Sequence, residues 1–536
     1  MKKIIFVLGF CLLGVAYGVK PAAGEKLAKE QSFIYNAASA PSSLDPAKME
    51  GSPEGFFSRT LFETLVISDV DDKIIPGAAE SWSASEDYKT WTFKLRKEAK
   101  WSDGTPVTAH DFVFAWQRLV DPKTASPYSS YLDYMKLKNT NAIINGKMSP
   151  QSLGIEAKDD YTLVLHLEEP VPFADRITEF YVLPPVPKHL VEKLGDAWSR
   201  PENIVGNGAF KMQSYVVNEE AVFTKNPYYW DAKNVLLEKV TLLQIPNSSV
   251  AYTRYRGGGL DVSVFPIELL DKVEKEHKNE LTKGPELCTY YYEFNMLKAP
   301  FDNVKVRQAL SMALDRNTIT EKILKRDQEP AYTFSPSKIS AAYLNKNPEW
   351  ASWELKKRYE EAIKLLEEAG YSKQNPLRFT LSYNTSEEHK KIAIAAAAMW
   401  KQNLQGLADV KLQNQEWKTF LSTRRLGHYD VARAGWCPPY NEASSALNVF
   451  TSDSSSNYAG YKSKEFDETI NAAYRAKDED SRAAEYAKAE QILYRDLPMM
   501  PIYFYAGTEL VKPYVRNYKI KPSKYYYFKD LYIVEP

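Results

Sequence analysis

The sequence predicts an exported, multidomain α/β protein, and three observations carry that reading. Its 536 residues exceed what one hydrophobic core supports. From Cys288 onward, runs of helical periodicity separate short, alternating, β-prone segments. The chain opens on Met1-Lys2-Lys3 and an apolar run from Ile4 to Tyr17, too short for a membrane span and built like a secretory leader.

Small residues at Ala16 and Gly18 place cleavage after Gly18, with Gly24 as the alternative. Cys11 does not read as a lipid-anchor cysteine, because the bulky Phe10 precedes it. No later apolar run is long enough to cross a bilayer. The leader takes Lys2 and Lys3 from a chain with 69 basic and 69 acidic residues, so the mature protein carries a net charge of −2 with histidines neutral. That balance gives no electrostatic case for nucleic acid or anionic lipid as a partner. Apolar residues at 44% and charged residues at 26% describe a folded chain, not a disordered one. The 36 Tyr and 11 Trp suit either a surface for ligands of mixed polarity or a large core. Cys288 and Cys437 survive processing, and two cysteines in an oxidising compartment are expected to pair. The bridge would close a loop of about 149 residues, worth about 5 kcal/mol on the chain-entropy model. Two buried free thiols are the alternative.

In chain order, residues 33–70 hold short strands and turns. Trp91 to Leu95 alternates as a strand, and Trp101-Ser102-Asp103-Gly104 is a turn. Thr108, with Asp111 three residues on, caps a helix whose apolar face carries Phe112, Val113 and Trp116. Tyr161 to Leu167 is a strand, and 204–245 reads mainly as strand and hairpin. Gly257-Gly258-Gly259 is a loop, lacking the Gly-Lys-Ser/Thr ending of a phosphate cradle. From Cys288 to Asn295 the chain is β-prone, and Asp302 or Asn303 caps the helix that follows. Further helices are expected over 355–369, 389–404, 464–476 and 480–495, with strands over 377–383, 410–417 and 499–505. Crossover helices between these strands suggest an α/β lobe.

The stretch from Arg433 through Gly435, Trp436 and Cys437 to Tyr440-Asn441-Glu442 follows an alternating run from Tyr429 to Ala432. A cation, an indole and polar tips at the mouth of a strand read as the lining of a pocket. A surface turn closed by Pro438-Pro439 reads equally well. Signatures of catalysis are missing: there is no His-Glu-x-x-His pair, no Gly-x-Ser-x-Gly elbow and no metal-ligand spacing among the six histidines. Cys437 with His389 or His428 would make a thiol nucleophile only if the cysteine were free.

Several stretches resemble the extracellular solute-binding proteins that feed ABC importers, in particular the oligopeptide-binding branch of Gram-negative bacteria. They include Ala79-Glu80-Ser81-Trp82, Trp91 to Arg96, Trp101 to Ala109, Val120 to Tyr128, Cys288 to Glu293, Asn414 to Leu421 and Asp430 to Cys437. They stay in register from about residue 33 to the C-terminus. The resemblance implies a periplasmic binding protein of the type 2 kind, two α/β lobes around a hinge plus an inserted third domain. Its divisions are a leader over 1–18, a first lobe from 19–62, 188–287 and 507–536, an inserted domain over 63–187 and a far lobe over 288–506. The chain would cross between lobes near 287 and 506.

An enclosed oligopeptide, delivered to an inner-membrane permease and its ATPases by a monomer without cofactor or metal, is the implied function, and no catalysis is expected. Carried over by position, Glu50, Tyr128, Tyr291, Glu293, Trp417, Arg424, Arg433, Gly435, Trp436, Cys437 and Tyr505 form the implied ligand lining. His389 falls where the family has a side-chain-pocket histidine. Arg424 and Arg433 would suit a peptide carboxylate through bidentate pairing. There are two departures. Pro439 stands where the family carries an aspartate for the peptide ammonium, and Leu324, next to Lys325, stands where it carries a lysine. Glu442, Glu50 or Glu293 would then have to compensate, or the cargo differs. A murein fragment or haem is one alternative; a secreted hydrolase and a chaperone-like interaction protein are others.

Overall fold

The computed structural model describes residues 20–476 and 478–535, so the expected leader over 1–18 lies outside the described residues. Three larger sheets organise them. In the first, Ser32–Asn36 pairs in parallel with Lys239–Leu243, and Glu220–Lys225 and Phe210–Val216 extend the sheet antiparallel. The second is antiparallel throughout, in the order Ala79–Ala84, Thr90–Leu95, Thr162–His166, Ile155–Asp159. Trp91, Phe93 and Leu95 bury one face of it, as the alternation in sequence requires. The Ala109–Val120 helix packs against this sheet through Phe112, Trp116 and Leu119. The Thr108 amide donates to Asp111 Oδ2 at 2.9 Å, the capping box expected from these two residues.

The third sheet runs Val262–Ser263, Met499–Val511, Leu281–Phe294, Val431–Trp436, Leu377–Asn384, Ala408–Gln415, with Glu329–Pro330 added beside Met499–Val511. Leu377–Asn384 and Ala408–Gln415 are parallel and joined by the Glu387–Asn403 helix, as a crossover demands. Leu281–Phe294, however, runs antiparallel to both neighbours, so this lobe is mixed and not a plain series of crossovers. The strand expected over 410–417 occupies Ala408–Gln415 instead. Glu416 accepts from the amides of Lys418 and Thr419 and so starts a helix, Trp417–Arg425, that sequence reading overlooked. The strand anticipated from Tyr429 begins at Val431.

Two long strands tie the lobes together. Residues 281–285 of Leu281–Phe294 pair with 506–510 of Met499–Val511, and residues 289–293 pair with 499–504. Register shifts fall between Pro285 and Thr289 and again between Tyr290 and Tyr291. Gly284 lies opposite Gly507. A side chain at either would press on Ile520, with a Cβ at Gly284 3.0 Å from the Ile520 Cβ. Just past this point Cys288 is disulfide-bonded to Cys437, which anchors the end of Val431–Trp436 to the long strand. The bond confirms the expected pairing and removes Cys437 as a nucleophile.

Candidate functional site

Val431–Trp436 has partners on both sides only at its start. Leu377–Asn384 meets it at Val431 and Ala432 alone, whereas Leu281–Phe294 continues alongside to Trp436. From Arg433 onward, among the described residues, one edge of the strand therefore presents main-chain groups without a neighbouring strand. Gly435 leaves room on the adjoining face of the sheet, where a Cβ would sit 3.1 Å from the Arg433 guanidinium and 3.2 Å from the Tyr505 hydroxyl. Trp436 is half-buried and donates its indole N–H to the Ser445 carbonyl at 2.8 Å.

Arg433 reaches along one face of the sheet. Its guanidinium lies 4.9 Å from the Tyr290 ring centroid and donates to the Tyr505 hydroxyl at 2.5 Å and to Asn384 Oδ1 at 3.4 Å. Its Nε is buried without a partner, and among the described residues no carboxylate comes within ion-pair distance. His389, at the start of the Glu387–Asn403 helix, lies 5.5 Å from Tyr290, ring to ring. Burial, reinforced by the Arg433 charge, holds its imidazole well below the usual histidine range, so it is neutral at pH 7. An uncompensated guanidinium beside a neutral imidazole and two phenols suits an anionic group on a ligand.

The opposite face is arranged differently. Glu293 is wholly buried and receives Arg424 through Nε at 3.1 Å and Nη2 at 3.0 Å. Burial pushes the Glu293 carboxyl up, against the pull of that guanidinium. Arg424 is thus already engaged and does not wait for a ligand carboxylate as its residue type suggested; Arg433 alone of the two is free of a counter-charge. Tyr291 packs edge-on to Phe334 at 5.1 Å, part of the wall and not of an open pocket. Glu50, from the other lobe, accepts from the Tyr458 hydroxyl at 2.7 Å and from Arg425 at 3.3 Å. Burial raises its pKa as well. Tyr128 is buried nearby, its hydroxyl 3.4 Å from that of Tyr181. Trp417 lies directly against Gly51. Glu442, the remaining compensating candidate, is held by Arg482 at 2.9 Å, and the Pro439 carbonyl accepts from Tyr525 at 2.9 Å. Leu324 is buried and Lys325 exposed, while the next residue, Arg326, reaches across to the Phe265 carbonyl.

The lobes therefore touch on both sides of the exposed strand edge. On one side are Glu50 with Arg425 and Tyr458, Gly51 with Trp417, and Ser130 with Ser455. On the other are Arg326 with Phe265 and Lys391 with Glu268. Tyr290, Tyr458, Arg425 and Arg326 join the cleft without having been singled out from sequence. Tyr290 lies within a quoted motif, but for the others no local pattern marks a residue whose partner is 61 positions away, as for Arg326, or 375 and 408 away, as for Arg425 and Tyr458.

The chain is similar to known proteins over most of its length. The model of bacterial extracellular solute-binding proteins, family 5, matches residues 73–458. The periplasmic oligopeptide-binding protein OppA of Haemophilus influenzae is 49% identical over 537 residues, covering 100% of this chain and 99% of its own. The periplasmic murein peptide-binding protein MppA of Escherichia coli is 42% identical over 525 residues, covering 98% and 97%. The crystal structure of Haemophilus influenzae OppA in complex with RPPGFSPFR superposes with a TM-score of 0.94 at 51% identity, covering 95% of this chain and 100% of that one. Two structures of the murein tripeptide binding protein MppA, each 42% identical, superpose unequally: that of the Escherichia coli protein at 0.93, an unliganded open form at 0.66. The lobes here are accordingly not arranged as in that open form. Over essentially its whole length the chain is built as these proteins are, and it belongs to family 5 of the bacterial extracellular solute-binding proteins.

Proposed function

We propose that this chain is a periplasmic oligopeptide-binding protein that encloses its cargo between two lobes and presents it to an ABC permease and its ATPases. The observation that carries the reading is the unpartnered strand edge at 433–436 beside the uncompensated Arg433. An extended peptide adds to such an edge as a further strand, using main-chain hydrogen bonds that do not depend on its sequence. A peptide carboxylate supplies the counter-charge that Arg433 lacks. Glu50, Tyr128, Tyr291, Glu293, His389, Trp417, Arg424, Gly435, Trp436, Cys437 and Tyr505 form the surrounding wall in this reading, most of them as neighbours that shape the chamber. The lobes divide as 19–62 with 188–287 and 507–536 against 288–506, with 63–187 inserted, and the crossings at 284–288 and 505–507 bend. The protein binds and releases without chemistry.

Native mass spectrometry of the mature protein from its producing cell, with the released ligand sequenced, tests this. Short peptides with free termini are the expected result. Non-peptide masses, or an empty protein that fails to bind a short-peptide library, would sink it. Because Glu50, Glu293 and Glu442 each already have a cation, the same spectra reveal whether the cargo brings a free amine at all.

A further inference from the structure

The lobe contact around Gly51 carries more acid than base. Glu50 and Glu54 flank the start of the Ser52–Leu61 helix on the near lobe, and both are more than nine-tenths buried. Glu50 accepts from Tyr458 at 2.7 Å and from Arg425 at 3.3 Å, both on the far lobe. Glu54 Oε1 accepts from the Ser42 amide at 2.8 Å, while Oε2 is buried without a partner. A Cβ at Gly51 would stand 3.2 Å from that oxygen and overlap the Trp417 ring, so Oε2 sits at the lobe boundary. Across the boundary Glu293 takes Arg424 on Oε2 and leaves Oε1 unpartnered. The cluster thus holds three buried carboxyl groups and two guanidinium groups. No other group facing Glu54 supplies the missing cation. Tyr128 and Tyr181 of the inserted domain and Tyr215 of Phe210–Val216 are phenols. Arg59, later in the same helix, lies over the Tyr525 ring at 3.6 Å and makes no ion pair with Glu54.

We propose that this cluster couples cargo binding to pH: closing the lobes draws a proton onto the Glu50–Glu54 pair, so the protein grips its cargo most tightly in mild acid and loosens as its surroundings turn alkaline. The inference rests on the peptide reading above, with closure as the step that holds the cargo. Opening withdraws Trp417, Tyr458 and Arg425, and water then reaches both carboxyl groups, which ionise in the ordinary carboxylate range. Closing removes that water. Two guanidinium groups cannot neutralise three carboxylates, and a surplus buried charge is costly unless a proton cancels it. Burial pushes Glu54 up to about 7, with the Glu50 charge adding to the rise. It raises Glu50 too, against the pull of Tyr458, Arg424 and Arg425 and with the help of the Glu293 charge. A carboxyl that holds its proton more firmly closed than open favours closure at low pH. That advantage is complete below the ordinary value of 4.5 and is lost as pH rises through about 7.

The test is calorimetric titration of the mature protein with trialanine, which has no titrating side chain, at about pH 6 in two buffers of different ionisation enthalpy. The difference in apparent enthalpy counts the protons exchanged on binding. Wild type is expected to take up about half a proton to one proton per peptide, and to lose affinity about tenfold or more from about pH 5.5 to about pH 7.5. In E50Q/E54Q the glutamines stand in for the protonated acids. That variant should exchange almost no protons and change affinity by less than about threefold over the same range. E54Q alone should lose most of the uptake, and it decides the matter if the double variant does not fold. Equal uptake and equal pH dependence in wild type and variants overturn the proposal, because the proton then goes elsewhere. So does wild type that binds with no proton exchange or with release. Wild type that shows no binding at any pH overturns the coupling and the peptide reading together, a pattern distinct from failure of the coupling alone.

Discussion

Replacing Gly51 with alanine should keep the lobes from closing fully, and the size of the effect follows from what surrounds it. Gly51 has φ of 114°, and its added Cβ would overlap the Trp417 ring at Cζ2 and lie 3.3 Å from Cη2 and 3.2 Å from Glu54 Oε2. Trp417 belongs to the opposite lobe, and its indole is a rigid plate that cannot fold away as a flexible chain end would. Forcing an extra methyl into such a contact costs about 1–3 kcal/mol, a loss of ligand affinity of about five- to a hundredfold. The same substitution also places a side chain in a backbone region that only glycine adopts readily, a strain of about 1–3 kcal/mol. That second cost falls on the folded protein whether it is open or closed, so the two are separable. Melting of the ligand-free protein reads the strain, and calorimetric affinity reads the overlap. In a W417A background the overlap is gone while the strain persists. G51A should therefore weaken binding strongly when the Trp417 indole is present and little in the W417A background, giving a coupling of about 1–3 kcal/mol. Equal losses in both backgrounds would refute the idea that this contact gates closure.

Other expectations follow from the same contacts. R424M removes the cation from wholly buried Glu293 and should cost about 3–5 kcal/mol in urea unfolding; the double substitution R424M/E293L should recover most of it. Breaking the Cys288–Cys437 bond by C288S/C437S should lower stability by about 2–5 kcal/mol, with a matching loss when the wild type is melted under reducing conditions. Burial raises Glu54 and Glu179 to about 7 and Glu63 to about 6, so the folded chain keeps these protons to higher pH than the unfolded chain does. Their stabilising contribution is complete below the unfolded carboxylate range and is lost as pH rises through about 6 to 7. The melting temperature should accordingly be several degrees higher near about pH 5 than near about pH 8, and E54Q/E179Q should flatten that slope; a melting temperature that rises across this window would contradict it.

Local chemistry was readable from the chain, and distant pairing was not. The Thr108 and Asp111 capping box and the stop at Gly370 depend on residues within one helical turn and stand where the sequence put them, and of the two caps read at Asp302 or Asn303 the structure uses Asn303. The Trp417–Arg425 helix went unseen because its cap is a glutamate, a residue type that marks helix starts weakly, after a strand that alternates up to Gln415. Arg424 looked like a ligand-facing cation because nothing in its neighbourhood shows that Glu293, 131 positions earlier, has claimed it. Glu442 is held in the same way by Arg482, 40 positions later. The disulfide was legible for the opposite reason: two cysteines leave only one intramolecular pairing.

The facing pair Gly284 and Gly507 has a mechanical consequence. Beyond it the disulfide bolts the Leu281–Phe294 strand to the end of Val431–Trp436; on the near side the chain is again held in a sheet. Compliance would thereby gather where both of these strands lack side chains and where the Ile520 side chain and the Glu286 carboxylate fill the gap. The molecule resembles two rigid shells on a narrow leather strap. Opening would then be a rotation about a short line, with little work stored in bending, and the difference in energy between open and shut would be set almost wholly by what lies between the shells.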